Sequence, residues 1–157
     1  MKRFRFSLEA LLTVRRRAEQ NALEKYASAL LARQRNLELL GAVHREQSQW
    51  WARWRNDLSK GCSAGDLMQW RASDRHLSEQ RQRAEAAVSQ AELHVNQALQ
   101  EMLVARRDRE AVENHWHKQR SKYDFDLSRE EQKGMDELAQ RRVPPALSGA
   151  RTQQTFS

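Results

Sequence analysis

The sequence predicts an all-α protein, a long antiparallel two-helix coiled-coil hairpin with a longer C-terminal helix. Three observations predict it: two hydrophobic seams of alternating three- and four-residue spacing, one short glycine-bearing break between them, and a composition too thin in apolar residues for a globule. Hydrophobic residues make up 39% of the 157-residue chain and charged residues 31%, with only five glycines and two prolines. That balance belongs to long helices with a narrow core and no enclosed cavity. Function is therefore sought on surfaces, and the hairpin is taken as one domain over residues 1–142.

Helix 1 is expected over about residues 5–58. Its seam is Leu23, Tyr26, Leu30, Arg33, Leu37, Leu40, His44, Gln47, Trp51, Trp54 and Leu58, preceded by Phe4, Phe6, Leu8, Leu11 and Leu12. The loop is placed at 59–66. There Gly61 can take a positive φ after the last helical turn, and Ser63 and Asp66 have the spacing of a capping box for the next helix. Helix 2 is expected over about 67–142. Stepping from Leu67 gives Trp70, Asp74, Leu77, Arg81, Ala84, Val88, Ala91, Val95, Ala98, Met102, Ala105, Arg109, Val112, Trp116, Gln119 and Tyr123, so 13 of 17 positions are apolar and no proline interrupts them. A run of that length reads as one continuous coiled-coil helix.

If the chain folds back at the loop, residues pair when their numbers sum to roughly 125, and large leucines on helix 1 face alanines on helix 2. This complementarity favours a hairpin within one chain over a parallel homodimer, while antiparallel association of two chains would use the same seams. At about 1.5 Å per residue, helix 1 is about 75 Å long and helix 2 about 115 Å, so helix 2 outruns its partner by roughly 20 residues from near Lys122. Past Tyr123 the seam changes phase and a new apolar face appears at Leu127, Met135 and Leu138. Whatever covers it comes from elsewhere, such as Phe4 and Phe6 or another protein. Pro144 and Pro145 stop the helix, and 143–157 is expected to be a disordered tail.

The net charge is +7, with 22 arginines and six lysines. Clusters such as Arg15-Arg16-Arg17 wrap around a helix, because neighbours stand about 100° apart, and 21 acidic residues are dispersed among them. A solvated rod is the expected reading, and no nucleic-acid partner is expected. A basic coiled coil that binds nucleic acid or an anionic membrane is the alternative. Cys62 is the only cysteine, so no internal disulfide forms. No signal peptide or transmembrane segment is expected, since Glu9 and Arg15 interrupt the N-terminal apolar stretch.

Chemistry is sought without success. No glycine-rich phosphate loop is present. The two imidazoles of His115-Trp116-His117 point about 200° apart on a helix, and no histidine pair has i,i+4 spacing, so no metal site is expected. Asp124, Asp126, Glu130 and Glu131 have no cleft to desolvate them. No catalytic residue, metal or cofactor is expected. Trp50, Trp51, Trp54 and Trp70, by contrast, gather within about 20 Å of the hairpin tip. Trp51, Trp54 and Trp70 lie on the seams. Trp50 stands one residue off its seam and is expected to be partly exposed, as an interaction hot spot would be.

The start Phe-Arg-Phe-Ser-Leu-Glu-Ala-Leu-Leu-Thr-Val-Arg, the glycine-bearing hairpin, and Glu130-Glu131-Gln132-Lys133-Gly134-Met135-Asp136-Glu137-Leu138-Ala139-Gln140-Arg141-Arg142 together resemble the flagellar export protein FliJ family. The resemblance covers residues 1 to about 142. It implies a non-enzymatic, cytoplasmic component of the flagellar type III export apparatus, peripherally associated with the cytoplasmic face of the inner membrane at the flagellar base. Its implied partners are the hexameric flagellar export ATPase, the cytoplasmic domain of the export gate, and export chaperones. Carried over residue by residue, it implies ATPase-ring contact at Phe4, Phe6, Leu8, Met135, Asp136, Glu137, Leu138 and Arg141. It implies export-gate contact at Trp50, Trp51, Trp54, Trp70 and Leu77. The equivalent stalk of a virulence-type secretion system is the alternative that shares this fold.

Overall fold

The computed structural model describes residues 4–142. Two helices account for nearly all of them, α1 over Glu9–Lys60 and α2 over Ala64–Arg142, packed against each other as an antiparallel hairpin. The expected tail over 143–157 lies outside the described residues.

Both ends of the break between the helices are set locally. At Gly61 the backbone turns to φ 92°, ψ 135° and its N–H donates to the Leu58 carbonyl at 3.2 Å. Positive φ of this kind favours glycine, because a Cβ would crowd the backbone. Two residues later the capping box closes. The Ser63 N–H donates to Asp66 Oδ2 at 3.0 Å, the Ser63 hydroxyl donates to the same oxygen at 2.7 Å, and the Asp66 N–H donates to Ser63 Oγ at 3.2 Å. These bonds hold the Asp66 carboxyl below its usual range. The two devices sit so close together that the break is Gly61–Ser63, shorter than the expected 59–66.

The start of α1 differs as well. Phe4 to Leu8 precede the helix, whose first residue is Glu9, and Leu8 at the N-cap has no side-chain oxygen to offer the exposed amides. This short segment folds onto α2 through its aromatic rings instead.

The register is the expected one. Arg15 meets Asp108 at 2.8 Å, Arg109 meets Glu19 at 2.6 Å, and Lys25 meets Glu101 at 4.0 Å. Trp54 lies opposite Trp70, and every one of these pairs sums close to 125. The α2 seam is also as read: from Trp70 to Tyr123 every position is buried or half-buried, and only Leu67 is exposed.

The α1 seam shares only half of its expected positions. Tyr26, Arg33, Leu40, Gln47 and Trp54 face inward as read, but between them stand Ala22, Ala29, Asn36, Val43 and Trp50, each one residue before the expected partner. Leu23, Leu37, Trp51 and Leu58 fall on the margin. The cause is that α1 is apolar over three adjacent helical columns and one partner helix covers only two of them. Small Ala22 and Ala29 let the helices approach, while the bulkier leucines flank the contact. The core is correspondingly thin: among the described residues, Phe6, Leu12, Ala22, Leu77, Val88, Ala91 and Val95 are its buried members.

Arg109 occupies an inward position of α2 with 19% of its side chain exposed. It is held by both oxygens of Glu19 and by Glu113, while Arg16 donates to Glu113 at 3.0 Å. The hydrogen bond to Glu19 raises the Arg109 pKa, and the one from Arg16 holds Glu113 low.

Three outcomes are expected. Gly61→Ala has open space for its methyl group, so its cost is the backbone conformation alone, about 1–2 kcal/mol by denaturant unfolding. Glu19→Gln leaves Arg109 half-paired and costs about 1–3 kcal/mol. Because Glu113, Glu110 and Asp66 are held low, the stability they contribute is complete above the ordinary carboxylate range. It is lost as pH falls below about 4, which a pH series of melting curves checks.

Candidate functional site

The rod offers two places where apolar side chains are shown to solvent at one end, the far part of α2 and the hairpin tip. The first lies where α2 continues past the residues that face the start of α1 at Glu9, with no helical neighbour among the described residues. The aromatic segment before α1 extends cover a little further. Phe6 is 7% exposed and its ring lies 6.1 Å from His115. Phe4 meets Trp116 edge-on at 6.2 Å and Tyr123 at 5.4 Å. The Arg120 guanidinium lies 5.2 Å from the Phe4 ring and 5.7 Å from that of Tyr123, and Arg120 also pairs with Asp124 at 3.1 Å. A cation above two aromatic faces fixes the segment in place.

That cover stops at Tyr123. From Ser128 to Arg141 every residue is exposed. Met135 is 71% and Leu138 60% exposed, and together with Ser128, Glu131, Gln132 and Gly134 they line a shallow apolar groove on one side of the helix. Asp136, Glu137 and Arg141 stand around it in solvent. Tyr123 and Met135 are about 18 Å apart along the helix. The structure therefore does not bring Phe4 and Phe6 to Met135 and Leu138, and it does not cover the new face with them. The expected ring-contact residues form two groups. Phe6 belongs to the core, Phe4 is half-buried, Leu8 caps α1 and is partly exposed, and Met135 to Arg141 stand free of the hairpin.

At the tip the four tryptophans do come together. Trp50 lies 5.0 Å from Trp51, stacks on Trp54 at 6.0 Å, and meets Trp70 across the hairpin at 5.2 Å. Trp51 and Asp74, expected to meet, line one crevice with Arg71. The phase shift of the α1 seam reverses two roles. Trp50, expected off the seam, is the half-buried ring at the centre, and Trp51, expected on it, is 39% exposed. Leu77, at 6% exposed, is a core residue about two turns along α2 from Trp70 and presents no surface.

Sequence reasoning missed Arg120 as the clamp on Phe4. Its i,i+4 spacing to Asp124 was legible, but the position of Phe4 was not, since that residue lies outside any periodic element. Among the described residues no three His, Cys, Asp or Glu side chains converge as a metal site would require, and no helix is long and apolar enough to cross a membrane.

A family model described as "Flagellar FliJ protein" matches residues 4–145. No curated protein and no solved structure matches the chain.

The exchange of roles at the tip gives a measurable difference. Trp50→Ala removes a ring packed on three others and is expected to cost about 3 kcal/mol. Trp51→Ala, at the margin, is expected to cost about 1 kcal/mol. Urea unfolding followed by circular dichroism distinguishes them, and an equal cost for both would contradict the placement of the two rings.

Proposed function

This chain belongs to the flagellar FliJ family and has a flagellar export-related role, and from that premise we propose that it is a non-enzymatic stalk of the flagellar protein export apparatus. Its C-terminal overhang enters the ring of the hexameric export ATPase and promotes ring assembly and hydrolysis. The observation that carries this reading is the stretch from Ser128 to Arg141, a single helix with an apolar groove at Met135 and Leu138 and no partner helix among the described residues. A helix exposing such a face is suited to insertion among the subunits of a larger assembly. Asp136, Glu137 and Arg141 would set its orientation there through ion pairs.

Phe4, Phe6 and Leu8 serve this end differently. Phe4 and Phe6, strapped against His115, Trp116 and Tyr123, fix where the rod stops being double and the single helix begins. Phe4 and Leu8 add partly exposed apolar surface at that shoulder. At the opposite end, the tip would contact the cytoplasmic domain of the export gate. The exposed edge of Trp51 is the leading contact, and Trp50, Trp54, Trp70 and Leu77 form the rigid base that holds it. Aromatic edges on a packed base lose little side-chain entropy on binding. The rod would also escort export chaperones, and it would work in the cytoplasm, held at the inner membrane by these partners.

The test is hydrolysis by the purified cognate export ATPase, with and without this chain. Stimulation accompanied by hexamer formation is expected. Met135→Asp with Leu138→Asp should weaken it by tenfold or more in concentration, with helicity unchanged because neither side chain packs on the hairpin. Stimulation that survives the double change would remove the overhang from the ring-binding role.

A further inference from the structure

α1 carries one more apolar column than its hairpin covers. Every seventh residue from Leu23, namely Leu23, Leu30, Leu37, His44, Trp51 and Leu58, falls beside the inward positions. Of these, Leu23, Leu37, Trp51 and Leu58 remain 39–46% exposed. The next column outward, with Gln34, Gly41 and Ser48 at its centre, holds no charge from Gln20 to Ser48, in a chain of which 31% is charged. A helix apolar over three adjacent columns is built to face more than one neighbour, and α2 is only one.

Gly41 points the same way. Glycine inside a helix is unfavourable relative to alanine, and the hairpin gives no reason for it: a Cβ there would meet only Arg45 Nη1, at 3.5 Å, the far end of a flexible side chain. The absent side chain leaves room on the outside of the rod, where another backbone can come close.

We propose that this strip is the interface of a homodimer, in which two hairpins pack α1 against α1, antiparallel, about a twofold axis at Gly41. The pattern is self-complementary about that point, as an isologous contact requires. Leu23 falls opposite the partner's Leu58, Leu30 opposite the partner's Trp51, and Leu37 opposite the partner's His44. Gly41 meets its own copy. On the outer flank Glu38 falls opposite the partner's Arg45, and the twofold axis makes that ion pair twice. Arg45 forms no ion pair with the described residues of its own hairpin. The strip runs about 50 Å, but its leucines are already more than half covered. The dimer is therefore weak, with dissociation on the order of micromolar, and it goes beyond the stalk function without depending on it.

Sedimentation equilibrium of the full chain tests this. The mass is expected to rise from 18.5 kDa toward twice that value with concentration. Leu37→Glu should raise the dissociation constant on the order of tenfold or more with far-ultraviolet circular dichroism unchanged. Glu38→Arg and Arg45→Glu should each weaken self-association, and mixing the two variant chains should restore it, because each pair is then again of opposite sign. In a Cys62→Ser background, Gly41→Cys should cross-link chain to chain under mild oxidation, while Glu46→Cys on the far side of the helix should not. A chain that stays monomeric at several hundred micromolar overturns the proposal. So does a dimer indifferent to Leu37→Glu, or cross-linking no better at Gly41→Cys than at Glu46→Cys.

Discussion

A pair of helices in contact can cover only a narrow stripe of each, and the rest of this molecule is arranged around that limit. Two columns of α1 meet two columns of α2, and the pairing buries few side chains fully. With so thin a core, no single contact dominates. The hairpin is held by length, by its register, and by devices at its ends. The capping box at Ser63 and Asp66 fixes the turn. The Glu19, Arg109 and Glu113 cluster ties the helices near the other end. Arg109 at an inward position would be costly if unpaired, and the pairs that cross the hairpin, Arg109 with Glu19 and Arg16 with Glu113, turn that cost into a specification of register, since a slip of one heptad would separate them.

The unequal lengths of the helices have the same standing. In this register the first turn of α1 stands opposite the residues around Trp116, so the apolar face at Met135 and Leu138 lies beyond its reach. Because the chain enters through Phe4 to Leu8, and that segment is clamped under Arg120 as far as Tyr123, the change from double to single helix occurs at one defined place. A single helix in water is sustained mainly by packing of its apolar face, so an exposed overhang of this kind is suited to being completed by something else. That is the physical content of the stalk proposal, and it rests on geometry that the aromatic strap enforces.

Much of this was legible in the residues. The α2 seam, the capping box, the positive φ at Gly61 and the pairing register all follow from spacing and from the chemistry of single positions. The α1 seam was only half legible, and the reason is specific. Leu23, Leu30, Leu37 and Leu58 are the more hydrophobic choice over Ala22, Ala29, Asn36 and Asp57, and since both sets have the same period, hydrophobicity selects the leucines and carries Trp51 with them. The structure prefers the smaller set because close approach of the backbones matters more to a two-helix contact than the bulk of each side chain, and because Trp50 can stack on both Trp54 and Trp70 from the inner column. The strap of Phe4 and Phe6 was illegible for a different reason: its partners are fixed by the path of five non-helical residues. Of the expected site residues, those on the free overhang stand where the pattern put them. Leu77 is buried as its place on the α2 seam requires, and Phe6 is buried where its ring meets His115, so neither presents the surface that a contact residue needs.

The same excess of apolar columns on α1 links the two surfaces of the proposed function to the proposed dimer. An antiparallel pair centred on Gly41 sends the two overhangs in opposite directions, so both remain free and ring binding is untouched by self-association. The tip is treated differently. Trp51 lies within the strip, opposite the partner's Leu30, and a dimer covers the one tryptophan edge that the hairpin leaves in solvent. Self-association and gate contact would therefore compete for one side chain, whereas self-association and ring contact would not. The dimer would thus act as a reserve form of the stalk, able to take an ATPase at either end and unable to present its tip until it separates.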